Sequence, residues 1–144
     1  MSKKEKAAAC FKKGFSCSQA VLSAYSRDFG LSRKTALKIS QAFGGGMARR
    51  GETCGAVTGA FLVIGLKHGR TKAEDVAARD KTYALAREFI RRFTARHGSI
   101  QCKTLLGCDI SSEEGMKLAH DQGLTGSLCP NFIRTAAEIL DEIL

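Results

Sequence analysis

The sequence has no tryptophan, a single proline and only two tyrosines among its 144 residues. Alternation of apolar and polar residues, which is typical of β-strands, is nearly absent. The charged amino terminus lacks the apolar core of a secretory signal. The longest nearly apolar run, residues 55–66, has twelve residues, whereas a helix needs about 18 to span a bilayer. We therefore expect a soluble, cytoplasmic protein with no membrane insertion and little or no β-sheet.

The rest of the composition is that of an ordinary globular domain. Hydrophobic residues make up 44% and charged residues 26% of the chain, which excludes disordered, collagen-like and coiled-coil proteins. A chain of this length can bury enough surface to fold without disulfides or metals. We therefore predict one domain over residues 1–144, and the six cysteines require another explanation.

The net charge of +9 suits nucleic acid, anionic lipid or an acidic partner. Arginines on the outer face of the longest predicted helix raise the possibility of nucleic-acid binding. No aromatic interleaving and no RNA-binding signature accompany them, so nucleic acid is not the expected partner.

Glycines and capping patterns divide the chain into helices. Ser16 to Gln19 and Thr71 to Glu74 form capping boxes, each of which predicts a helix start. The fold class is therefore all-α, a compact multi-helix bundle with a buried central apolar helix over residues 54–67. The predicted helices span about residues 3–13, 17–29, 33–43, 54–67, 71–97, 102–106, 111–122 and 130–144. The expected buried side of the longest helix consists of Val76, Tyr83, Phe89, Ile90 and Phe93.

Four of the six cysteines fall at predicted helix starts: Cys17, Cys54, Cys102 and Cys129. Thr53 is the expected cap before Cys54, and Cys129 is itself expected in the cap position before Pro130. Helix N-termini present unpaired amides and a partial positive charge, which lower the pKa of a thiol and favour the thiolate. We therefore predict these four cysteines as the catalytic or metal-binding residues.

Two kinds of chemistry remain open for these cysteines. Thiolates that converge could exchange disulfides, or they could hold an iron-sulfur cluster or a single zinc, copper or iron ion. Their spacing matches no short metal-binding motif, so the fold would have to assemble the site. A third alternative is an interaction protein, such as a homodimer, whose cysteines are merely buried. Cys108 could be a resolving thiol, a fifth ligand or an apolar filler, and Cys10 is expected to have no role.

A glycine-rich turn offers a candidate binding element. Backbone amides of the Gly44-Gly45-Gly46 segment, followed by Arg49, could contact an anion or cofactor. The segment has neither the Walker nor the Rossmann sequence context. We predict Gly45, Arg49 and Gly55 as cofactor-binding residues.

Several segments together resemble a known family. They are Gly14-Phe15-Ser16-Cys17-Ser18-Gln19-Ala20-Val21, Phe43-Gly44-Gly45-Gly46-Met47, Cys54-Gly55-Ala56-Val57-Thr58-Gly59, Cys102 with Leu105-Leu106-Gly107, and Cys129. In this order they resemble the C_GCAxxG_C_C family of redox-active proteins, although the family label reads Gly-Cys-Ala where this chain reads Cys-Gly-Ala.

The resemblance covers nearly the whole chain and implies that Cys17, Cys54, Cys102 and Cys129 are the four motif cysteines. It implies redox or metal chemistry at a cysteine cluster, with a redox partner protein or a small thiol as partner. We therefore expect a small redox protein and possible thiol-dependent oxidoreductase, with a non-catalytic metal-binding or carrier protein as the alternative.

Overall fold

Helices account for all of the regular structure except for one isolated bridge. The computed structural model describes residues 1–144. It contains eight α-helices and no strand, which confirms the all-α prediction. Two 3₁₀ segments, Ser26–Phe29 and Gln41–Phe43, extend the second and third helices. The helices are α1 (Lys3–Lys12), α2 (Cys17–Tyr25), α3 (Arg33–Ser40), α4 (Gly55–His68), α5 (Val76–His97), α6 (Cys102–Leu106), α7 (Glu113–Asp121) and α8 (Leu124–Ile143).

The apolar helix α4 lies at the centre, where it packs against α2, α5 and α8. Val57, Val63 and Ile64 have no solvent exposure, as expected for a helix that is apolar nearly all round. A Cβ atom at Gly59 would lie 2.9 Å from the carbonyl oxygen of Ser18. The missing side chain therefore lets the backbones of α2 and α4 approach closely. Helix α1 packs against both α2 and α8.

Helix α5 begins later than the sequence predicted. The capping box at Thr71 does not start it; instead the Asp75 side chain accepts a hydrogen bond from the amide of Ala78 at 3.1 Å. Of the expected buried side, Phe89 and Phe93 are fully buried and Ile90 is half-buried.

The prediction was wrong for Val76 and Tyr83, which are 47% and 56% exposed. The buried residues of α5, Phe89 and Phe93, lie in its carboxyl-terminal half, and Val76 and Tyr83 lie in the half that has none.

Helix α8 begins earlier than predicted, at Leu124, and Pro130 lies inside it. Cys129 is therefore within the helix and not in the cap position. Proline removes one helical hydrogen bond at a cost of about 3 kcal/mol. Leu124 and Leu128 of the preceding turns are partly buried and pack against the core, and two fully buried side chains of this kind would contribute about 3 to 6 kcal/mol. Their partial burial compensates for part of the cost of the proline.

Helix α7 begins at Glu113, two residues later than predicted, because its cap is Ser112, whose Oγ accepts from the amide of Gly115 at 2.9 Å. Ser111 instead donates from its hydroxyl to Asp109 Oδ1 at 2.6 Å. No helix has the length and apolar character needed to cross a membrane.

Candidate functional site

The four predicted cysteines line one cavity of about 100 Å³. Each thiol is nearly buried; Cys17 and Cys129, for example, are both 8% exposed. Pockets that hold a cofactor or a drug-sized ligand measure about 300 to 1,000 Å³. This cavity is therefore too small for a typical cofactor, but it can admit a sulfur-sized group. The rest of its wall is mainly apolar and consists of Phe11, Ser16, Gly45, Gly46, Gly55, Leu105, Leu106, Ile110, Thr125 and Phe132.

Cys17 is the first residue of α2, as predicted. Ser16 Oγ accepts from the amide of Gln19 at 3.4 Å, and Gln19 Oε1 accepts from the amide of Ser16 at 3.0 Å. This confirms the capping box. A Cβ atom at Gly55 would lie 3.0 Å from Cys17 Cβ. The glycine after Cys54 therefore lets the starts of α2 and α4 meet, which brings both cysteines to the cavity.

Cys54 is itself the cap residue of α4, so the prediction of Thr53 as the cap was wrong. Thr53 instead forms an isolated antiparallel bridge with Gln101. The Cys54 amide donates to the Ile100 carbonyl at 2.7 Å, and the Cys102 amide donates to the Glu52 carbonyl at 2.6 Å.

Successive side chains of extended backbone point to opposite faces. Cys54 and Cys102 each follow a bridged residue, so both lie on the same face of the bridge. A single bridged pair has no alternation pattern, so the bridge could not be predicted from the sequence.

The glycine-rich turn borders the same cavity in a left-handed conformation. Five consecutive residues have positive φ, from Gly45 (65°) through Arg49 (62°). Three of these residues are not glycine, and each costs about 1 to 2 kcal/mol in this region. Such strained backbone is retained when the surrounding structure holds it, and it clusters at functional sites. A Cβ atom at Gly44 would lie 2.7 Å from Ser16 Cβ, so the turn packs directly against the cap of α2.

The thiols of Cys17 and Cys129 both line the cavity and interact there. The hydrogen bond from Cys17 lowers the pKa of Cys129 below its ordinary value, although burial opposes this shift. The same hydrogen bond, together with burial and the other three cysteines, raises the pKa of Cys17 well above its ordinary value. Cys129 is therefore the first of the pair to become a thiolate, and Cys17 keeps its proton to higher pH.

Burial raises the pKa of the other two cavity cysteines. The pKa of Cys54 is raised to about 12, even though the amides of Ala56 and Val57 oppose the shift. The pKa of Cys102 is raised to about 11, with further contributions from Cys129, Cys108 and Asp109. The expectation that helix N-termini would lower these pKa values was wrong, because loss of solvation outweighs the partial charge of the helix.

The remaining candidates are divided between the cavity and the surface. Gly45 and Gly55 line the cavity, whereas Arg49 lies outside it on the exposed surface. Cys108 is half-buried near Cys102. Cys10 lies away from the cavity, with its Sγ atom 3.6 Å from Ser23 Oγ.

The apolar wall residues, such as Phe11 of α1, were not predicted. Their spacing is that of ordinary core residues, so nothing in the sequence marks them. No set of three or more His, Cys, Asp or Glu side chains is arranged to hold a metal ion.

One family model matches residues 15–143, and it is described as "Putative redox-active protein (C_GCAxxG_C_C)". The matched region includes all four cavity cysteines and excludes Cys10. No curated protein and no solved structure matches the chain.

Proposed function

The chain belongs to the C_GCAxxG_C_C family of redox-active proteins, and on this premise we propose that it exchanges thiols and disulfides through Cys17 and Cys129. The observation that carries the proposal is that these two thiols line one small cavity and lie close enough to shift their pKa values in opposite directions. Thiol–disulfide exchange needs one thiolate that attacks and a second thiol that resolves the mixed disulfide. The pair supports both roles, with Cys129 as the nucleophile and Cys17 as the resolving thiol.

The reaction has two steps. The Cys129 thiolate attacks one sulfur of a substrate disulfide, a bond forms between that sulfur and Cys129, and the other substrate sulfur leaves as a thiolate. Cys17 then loses its proton and attacks Cys129 Sγ, which forms the Cys17–Cys129 disulfide and releases the second substrate sulfur. Two protein thiols lose two electrons in total, and the substrate disulfide gains them.

Cys54 and Cys102 have a different role in this proposal. Both line the same cavity, but their raised pKa values keep them protonated when Cys129 is a thiolate. They form a second dithiol, which can take over the disulfide from Cys17 and Cys129 by a further exchange. The oxidant or reductant from outside is a small thiol compound or a redox partner protein. A reducing compartment such as the cytoplasm suits this cycle, because structural disulfides are rare there.

Disulfide mapping tests the proposal. The protein is fully reduced, exposed to a small disulfide without oxygen, and digested under acidic conditions for mass spectrometry. We expect a loss of two hydrogens per chain and a peptide pair linked through Cys17 and Cys129. Cys129→Ser abolishes this link. Cys10→Ser is the matched control, because Cys10 is similarly buried at 6% exposure but lies outside the cavity.

Two results would contradict the proposal. One is oxidation that yields no disulfide among the four cavity cysteines. The other is a near-stoichiometric metal in protein purified without oxygen, lost on Cys54→Ser or Cys102→Ser, which would favour the metal-binding alternative.

A further inference from the structure

The glycine-rich turn leaves two backbone donors free at the cysteine cavity. The amides of Gly45 and Gly46 donate no hydrogen bond to any backbone or side-chain acceptor, whereas the amides of residues 47–52 all do. Both glycines line the cavity. Adjacent free amides in such turns bind anions. Gly46 is buried and Gly45 half-buried, and a buried amide without a partner costs about 1 to 3 kcal/mol. A group that accepts hydrogen bonds from these two amides therefore gains stability in the cavity.

An unpaired cation lies on the outer side of the same turn. A Cβ atom at Gly45 would lie 2.9 Å from Arg49 Cγ, so the stem of Arg49 packs over the glycine that lines the cavity. Arg49 is exposed and takes part in no salt bridge and no side-chain hydrogen bond among those of the structure. Arg50, by contrast, is one of the charges near Asp109, whose pKa is lowered mainly by hydrogen bonds from Ser111 and further by Lys103 and Arg50.

Arg49 also lies where two surface grooves adjoin the cavity. One groove shares Ser16 and Gly45 with the cavity wall, and the other shares Ile110. Arg49 lines both grooves. A molecule bound in either groove therefore lies beside Arg49 and next to a wall residue of the cavity.

From these contacts we infer that the turn selects small disulfides that carry carboxylates as the substrates of the cysteine pair. The inference rests on the proposed function. The cavity is too small for more than the sulfur end of such a molecule, so its charged part stays at the surface, where a carboxylate pairs with Arg49.

The two free amides act on the sulfur that leaves. When Cys129 attacks, the substrate disulfide breaks and the leaving sulfur carries away the electron pair as a thiolate. The amides of Gly45 and Gly46 donate hydrogen bonds to that developing charge. Preorganised backbone donors of this kind stabilise a transition state because they need no reorientation.

A pair of chromogenic disulfides separates charge recognition from thiol reactivity. Dithiobis(nitrobenzoate) carries a carboxylate on each ring, and dithiodipyridine carries none. Reduced protein reacts with each reagent at low ionic strength, the released thiol is followed by absorbance, and mass spectrometry verifies modification of Cys129. Arg49→Asn removes the charge and keeps a residue that tolerates positive φ. Arg49→Lys keeps the charge, and Arg87→Gln on the exposed face of α5 is the control for net charge.

We expect Arg49→Asn to slow the reaction with the carboxylate reagent about three- to tenfold and to change that with the neutral reagent less than about twofold. Arg49→Lys retains most of the rate, and Arg87→Gln has little effect. Added salt removes the effect of Arg49→Asn on the carboxylate reagent, because it screens the charge of Arg49. The inference is wrong if Arg49→Asn slows both reagents equally or neither, or if Arg87→Gln acts as strongly. In those cases the proposed function stands as long as dithiodipyridine still yields the Cys17–Cys129 disulfide; without that disulfide, the proposed function itself fails.

Discussion

A Cβ atom at Gly46 would lie 2.6 Å from Cys102 Cβ and 2.7 Å from the backbone nitrogen of Glu52. Neither contact is possible for a real side chain, because both neighbours are fixed, one at the start of α6 and one in the bridge segment. Gly46 also has a φ of 71°. The glycine is therefore required both by the left-handed turn and by the approach of Cys102 to the cavity.

Gly46→Ala is expected to destabilise the protein strongly. Positive φ alone costs an alanine about 1 to 2 kcal/mol, and the displacement of Cys102 or Glu52 adds the cost of an overpacked core, about 1 to 3 kcal/mol. Thermal or urea unfolding followed by circular dichroism measures the loss.

Gly65→Ala in α4 is the matched control, because a Cβ atom there meets nothing within 4 Å. Alanine in a helix is favoured over glycine by about 0.5 to 1 kcal/mol, so this variant becomes more stable. A Gly46→Ala variant as stable as the wild type would show that the turn is not held in this conformation.

Much of the fold could be predicted because helices are encoded locally. The Ser16 capping box and the apolar helix after Cys54 depend on residues within a few positions of each other, and both are present in the structure. Helix starts were missed where a distant contact overrides the local pattern. Pro130 would normally open a helix, but burial of Leu124 and Leu128 extends α8 by six residues before it.

The residues of the site could be predicted from the sequence more easily than the pKa values of their thiols. Capping patterns and the family resemblance both selected four cysteines that line one cavity. Their pKa values depend on burial and on which thiols touch, and these are properties of the folded chain. Cys129 illustrates this, because it lies inside a helix and yet has a lowered pKa through Cys17. The left-handed turn was also invisible, since Met47 and Ala48 have no sequence preference for positive φ.

The Tyr25 hydroxyl joins α2 to α8 and should contribute measurably to stability. It lies 2.9 Å from the carbonyl oxygen of Ala137 and 2.8 Å from Asp141 Oδ1, and it is nearly buried. Tyr25→Phe leaves these acceptors without the donor, so we expect the free energy of unfolding to fall by about 1 to 2 kcal/mol. Tyr83→Phe is the control, because Tyr83 is 56% exposed, and it should leave stability unchanged. Equal unfolding midpoints for both variants would contradict this role.

The hydrogen bond from Cys17 should set the pH at which Cys129 reacts. A thiolate is alkylated much faster than a thiol, so the rate at Cys129 rises with pH through the pKa of this thiol. Because the hydrogen bond lowers this pKa, the wild-type midpoint lies below that of an ordinary cysteine, and the rate falls as pH drops through it. Cys17→Ala removes the donor, and we expect the midpoint of Cys129 to move to higher pH.

Cys17→Ser keeps a hydroxyl donor and should give an intermediate midpoint, because the hydroxyl can still stabilise the thiolate. Alkylation by iodoacetamide at a series of pH values, quantified at Cys129 by mass spectrometry, measures all three midpoints. Cys10→Ser, which changes a thiol outside the cavity, should leave the Cys129 midpoint unchanged. An unchanged midpoint in Cys17→Ala would instead mean that Cys17 does not stabilise the Cys129 thiolate. The assignment of Cys129 as the nucleophile would then lose its physical basis, because burial alone would raise the pKa of this thiol.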